Sequence, residues 1–145
     1  MLSIFTRLMA FLLGKRVVVQ GWSMHPTLAP EERVLFDRLA YRREKPQRGD
    51  IVLVRHPQRP DMLLIKRIAS VPGITASGNE GTLGADEYFL LGDQLDHSTD
   101  SRHFGPVSRG QILGRAALVY WPPGRFRYLQ NESRNDSNGL KNNLT

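Results

Sequence analysis

The sequence predicts a mainly β domain, an antiparallel sandwich or barrel with a short helix ahead of it and a disordered tail behind it. Three observations predict this. Six short runs rich in β-branched and aromatic residues follow one another between residues 16 and 121. Gly or Pro punctuates the intervals, at Pro30, Pro46, Gly49, Pro57, Pro60, Pro72, Gly73, Gly92, Gly105 and Pro106. No strand–helix alternation and no internal repeat runs through the chain. At 145 residues it makes one domain with tails and can bury a real core.

The elements read in order. Residues 2–13 are helix-prone, and Gly14 is a natural stop. About a dozen residues, broken by Arg7, fall short of the roughly 20 that cross a bilayer. Neither a charged leading region nor a small-residue cleavage site marks a secretory signal. The helix therefore docks on the domain's own core or lies on a membrane surface, which net charge +6 would favour. The strands follow at residues 16–20, 33–37, 50–55, 62–71, 87–91 and 112–121. Residues 38–48 carry Arg38, Arg42, Arg43, Lys45 and Arg48, a solvated loop or turn of helix. Residues 74–84 read as a flexible hairpin. The Asn-rich stretch 130–145 has few large apolar residues and is expected to be disordered. The division is thus 1–15 helix, 16–129 working domain and 130–145 tail.

Composition excludes some chemistry. There is no cysteine, so disulfides and thiolate metal sites are out. The four histidines show no HExxH-type spacing, and neither a metal nor a cofactor is expected. Aromatic residues are sparse and are not interleaved with the basic run, so nucleic acid is not an expected partner.

Three stretches can carry chemistry. First, the run Arg16 to Gln20 delivers Ser23 into a loop that Pro26 keeps irregular. Trp22 and Met24 flank this serine, either as core anchors or as an apolar wall for the small residues before a scissile bond. Second, Lys66 lies in a strand where alternation puts it on one face with Leu64 and Ile68. Such a lysine either snorkels outward or is buried. If buried, desolvation lowers its pKa and a neutral amine can take a proton from a serine hydroxyl. Lowering it by about three pH units costs the fold about 4 kcal/mol, more than packing alone would retain. Third, residues 91–107 form a tight polar loop in which Asp100 and Arg102, two apart, can pair. A Ser-His-Asp triad from Ser23, His97 or His103, and Asp93 or Asp100 is the competing arrangement.

Together these stretches resemble the signal peptidase I family of serine proteases, over about residues 17–120 and in the family's order. Ser-Met-x-Pro-Thr-Leu at 23–28 matches the nucleophile motif. Ile65, Lys66 and Arg67 followed by Pro72 and Gly73 match the general-base motif. Gly92 and Asp93 through Ser98, Asp100, Ser101 and Arg102, then Phe104 and Gly105, match the last motif. The resemblance implies a mostly antiparallel β fold. It implies Ser23 as nucleophile, Lys66 as general base, Ser98 orienting the lysine, and Asp100 and Arg102 bracing the site. Gly21 stands where some members place a serine that binds the oxyanion, which leaves the Ser23 amide as the main donor. Gln94 and His97 replace asparagines common in the last motif, and Ile74 replaces an acid after Pro-Gly.

The implied substrate is a precursor protein with an N-terminal leader. Two short forms of the family compare, the mitochondrial inner-membrane peptidases and the proteases that trim nickel-type superoxide dismutase. Arg55, His56 and Pro57 and the wording of residues 98–106 look more like the second. The expected state is a monomer, cytoplasmic or peripheral at the cytoplasmic membrane rather than integral in it, with the compartment open. A different class, a non-catalytic basic module binding nucleic acid or anionic membrane, has the 38–48 run in its favour but explains neither Lys66 nor the Asp100 loop.

Overall fold

The computed structural model describes residues 3–73 and 82–131. Its elements are α1 (Ile4–Leu13), β1 (Lys15–Val18), β2 (Arg33–Asp37), α2 (Ala40–Arg43), β3 (Ile51–Arg55), β4 (Leu63–Ser70), β5 (Glu87–Leu91), α3 (Ser101–Phe104), β6 (Val107–Ser108), β7 (Ile112–Trp121) and β8 (Arg127–Tyr128). All strand pairs are antiparallel. They form one eight-stranded sheet in the order β1-β2-β7-β3-β4-β5-β6, with β8 added to β7. The mainly antiparallel β architecture is therefore present, drawn as one sheet with β1 and β6 at its ends. The six expected strands are all found. The two-residue strands β6 and β8 carry too little pattern to be read beforehand.

Both faces of the sheet are buried. Along β3, Ile51 and Leu53 join a core with Val19, Met24, Leu28, Val34, Phe36, Ala116 and Val119. Their neighbours Val52 and Val54 join a second core with Ile68, Tyr88, Leu90, Val107 and Ile112. Alternation along one strand thus feeds two cores. Register shifts in β2–β7, β3–β7 and β4–β5 mark bulges, where strands bend and twist.

The α1 helix is not docked on either core. Ile4, Phe5, Leu8, Phe11, Leu12 and Leu13 are all exposed, Ile4 by 87%. Ser3 caps its start, its hydroxyl accepting from Thr6 N–H at 3.2 Å. The helix's described apolar side chains are not part of either core cluster. Among the described residues no helix is long and apolar enough to cross a membrane. The basic stretch is α2 and its flanks, where Arg43 pairs with Asp37 at 3.5 Å and Arg115 with Glu44 at 3.2 Å. The hairpin expected at 74–84 lies mostly outside the described residues, as does the tail beyond Asn131. Asn131 itself is tied down, donating to Arg48 O at 2.9 Å and Asp50 Oδ1 at 2.7 Å.

Candidate active site

The serine loop is held from beneath. Residues 19–32 leave the sheet after β1 and return at β2. Their ends are tied where Val19 N–H donates to Glu32 O at 2.8 Å and Glu31 N–H to Val19 O at 2.9 Å. Leu28 N–H donates to Met24 O at 2.9 Å, and both side chains sink into the first core, 2% and 0% exposed for Met24 and Leu28. Met24 is thus a core anchor and not a surface wall. Ser23 is half-buried above it, and Trp22 is 57% exposed, against His25 at 5.3 Å between ring centres. Gly21 has φ +74°, a left-handed conformation that a side chain would strain.

Lys66 is buried, 4% exposed, with Val52 opposite it on β3 and Ile68 beside it on the same face. It does not snorkel. Burial lowers its pKa below the ordinary lysine value, and the negative charge of Asp100 opposes that shift. No hydrogen bond joins the Ser23 hydroxyl to Lys66 among the described residues. Register brings the two neighbourhoods together through β5. Arg67 faces Leu91, so Gly92 comes next, across from Lys66. A Cβ on Gly92 would stand 2.7 Å from Ser23 O and collide with Ser98 Oγ. Gln94 N–H holds the same Ser23 carbonyl at 2.9 Å. The Ser23 carbonyl and the Ser98 side chain therefore both lie against a position that has no side chain, and Lys66 lies within reach of the Asp100 charge.

Asp100 is the knot behind this convergence, fully buried. Its Oδ2 accepts from Ser98 Oγ at 2.8 Å and Gly92 N–H at 3.0 Å, and its Oδ1 from Arg102 Nε at 2.9 Å. Arg102 also donates to Leu95 O at 2.7 Å. Burial alone would raise the Asp100 pKa. The hydrogen bonds from Arg102, Gly92 and Ser98 outweigh it and hold the carboxyl below the usual range. The anion's charge acts on Lys66, and Asp100 joins Arg102 and Ser98 in one hydrogen-bonded cluster.

Two further braces escape sequence reading. Asp93 receives Arg67 Nε and Nη2, both at 2.7 Å, and Thr27 Oγ1–H at 2.6 Å. Burial would raise its pKa, and bonds from Arg67 and Thr27 lower it overall. Elsewhere Glu32, 1% exposed, pairs with Arg127 at 2.7 Å. The first brace has a signal in the alternation that turns Arg67 away from Lys66. The second joins residues 95 apart and has none.

The triad is not assembled. Both oxygens of Asp93 and of Asp100 are occupied as described. His103 Nδ1 stands 3.9 Å from Asp100 Oδ1 and instead accepts from Asp100 N–H at 3.3 Å. His97 is exposed at the end of a 3-10 turn. His56, part of the Arg55-His56-Pro57 wording, is a turn cap, its Nδ1 accepting from Gln58 N–H at 3.1 Å and Arg59 N–H at 3.2 Å. No group of three or more His, Asp or Glu that could hold a metal occurs among the described residues.

The chain matches a family model described as signal peptidase, peptidase S26, over residues 1–83 and 74–121. It is 39% identical over 121 residues to the mitochondrial ATP-independent inner membrane protease subunit 1b of Arabidopsis thaliana, covering 76% of this chain and 72% of that one. It is 37% identical over 122 residues to the mitochondrial inner membrane protease subunit 2 of Danio rerio, covering 77% and 67%. With subunit 1 of Xenopus tropicalis the identity is 34% over 122 residues, covering 79% and 73%. These relatives bear the name of the short form that the sequence wording ranked second.

Proposed function

The chain belongs to the signal peptidase family, peptidase S26, and on that premise we propose that it is a serine endopeptidase with a Ser23/Lys66 dyad that removes N-terminal leaders from precursor proteins. The observation that carries this reading is Lys66: a lysine buried on an apolar face, its pKa lowered by burial, under the charge of the Asp100 that binds Ser98. In the reaction Lys66 accepts the Ser23 proton as Oγ attacks the scissile carbonyl. The oxyanion takes the Ser23 amide, with the open Gly21 turn beside it. The lysine then protonates the leaving amine, and water hydrolyses the acyl ester. Ser98, oriented by Asp100, steers the amine towards the hydroxyl.

The precursor of nickel-type superoxide dismutase is the specific substrate put first, on the wording of residues 98–106. His56 adds nothing to that choice, since its ring serves the turn. A second reading is a general leader peptidase at a membrane surface. It is favoured by the exposed apolar residues of α1 and by the inner-membrane names of the relatives. The decisive experiment incubates wild type, Ser23→Ala and Lys66→Ala with a leader-bearing dismutase precursor and with a secretory precursor, and weighs the products by mass spectrometry. Wild type cleaves one of them at a single bond and both variants leave it intact. Turnover by either variant overturns the dyad, and cleavage of the secretory precursor alone overturns the dismutase assignment.

A further inference from the structure

Thr27 is gripped from two sides. Its hydroxyl binds Asp93, within the last motif. Its main-chain carbonyl accepts from Arg127 Nη2 at 2.8 Å. Arg127 belongs to β8, past the residues that the family model matches. The guanidinium also donates to Glu32, Nη1 to Oε2 at 2.7 Å and Nη2 to Oε1 at 2.9 Å, and Nη1 to Arg125 O at 2.9 Å. Glu32 Oε1 in turn accepts Ala29 N–H at 2.6 Å. The returning half of the serine loop, Thr27 to Glu32, is thereby fastened to a strand laid down 95 residues later. Leu28 N–H to Met24 O carries that fixation back to the residue beside Ser23.

Stability alone does not account for this pair. Glu32 is 1% exposed while the Arg127 side chain keeps 36%, and taking a carboxylate out of water for such a pair is often no more stabilising than apolar residues of similar volume. What it supplies is direction, because a planar guanidinium that chelates a carboxylate and a carbonyl together defines one geometry. We propose that Arg127, acting through Glu32 and Thr27, is a positioning residue that sets how the loop presents Ser23. This rests on Ser23 being the nucleophile, as argued above.

The test uses the full chain, as wild type, Arg127→Met, Arg127→Lys and the double variant Glu32→Met/Arg127→Met. Leader-peptide kinetics, thermal unfolding and amide hydrogen exchange over residues 22–31 are followed. Arg127→Met lowers kcat about tenfold or more with KM within about twofold, and speeds exchange in 22–31 while β3, β4 and β7 stay protected. Arg127→Lys, which keeps the charge but not the fork, recovers part of kcat. The double variant regains thermal stability by removing the orphaned carboxylate, yet its kcat stays low. A double variant whose kcat returns with its stability overturns the proposal, as does Arg127→Met with unchanged kcat. If wild type cleaves no leader, the Ser/Lys reading fails by itself. Exchange then decides the clamp: unchanged protection in 22–31 overturns it, and faster exchange supports its hold on the loop.

Discussion

Lys66 and Arg67 are consecutive cations on one strand and have opposite fates. Arg67 turns to the face of Ile65, where it meets Asp93 twice and donates to Gly49 O at 2.8 Å. Lys66 turns to the other face, 4% exposed, where the charge of Asp100 acts on it across space. A cation matched by hydrogen bonds is structural, because its charge is fully answered and its proton is held. A largely buried cation, its charge disfavoured by desolvation, gives its proton up more readily. The same contrast separates the site's carboxylates from its lysine. Asp93 and Asp100 are both saturated, and both are held as anions.

Several changes would break or sharpen this contrast. The largest effect is expected at the proposed Ser23/Lys66 pair. Ser23→Ala and Lys66→Ala should each cut cleavage by about 10⁴-fold or more, with circular dichroism unchanged. Normal turnover by either would erase the distinction between the two faces. Arg67→Met should act through the fold instead, destabilising by about 3 kcal/mol because Asp93 loses its counter-charge. Urea unfolding reads this, and a loss of activity without loss of stability would move Arg67 to the reactive side.

Smaller effects concern protons. The rate should rise with pH as Lys66 loses its proton, below the pH at which an ordinary lysine would do so. Asp100→Asn removes the negative charge that resists that loss. The acid limb of log kcat/KM against pH should therefore move to lower pH, even as the maximum rate falls with the loss of Ser98 orientation. An acid limb that moves upward would contradict the coupling. For stability the sign is fixed by linkage. A lysine with a lowered folded pKa makes the folded state gain stability as pH rises from that pKa to about 10.4, since the unfolded chain holds the proton longer. Lys66→Met should flatten this rise and be more stable than wild type at neutral pH, as read by thermal melts across pH. The smallest effect is expected for His97 and His103 replaced together, which should leave activity within about twofold. A loss of a hundredfold would bring the triad back.

Much of this was legible before any coordinates. The strands around Lys66 read correctly because β-branched runs and Gly or Pro breaks report local geometry, and strict alternation told Lys66 from Arg67. The Asp100 and Arg102 pair was legible because two residues of spacing are enough to place it. What stayed hidden was long-range. Thr27 with Asp93, and Glu32 with Arg127, meet only after the sheet has formed, and no local period encodes them. The N-terminal helix was ambiguous for a related reason, since Phe11 and Leu12 suit a buried face and an exposed one equally. Both are exposed in the structure, and Arg16 lies over the Phe11 ring at 5.3 Å.

The empty spot at Gly92 has a consequence for anyone altering this protein. Because the Ser23 carbonyl and the Ser98 side chain already crowd the space a β-carbon would need, even alanine there is a wedge. It would prise the serine loop from the polar loop while leaving Ser23 and Lys66 themselves chemically unchanged. An inactive variant at that position would thus bear on assembly tolerance rather than on acid–base chemistry, and a saturation screen could easily mistake one for the other.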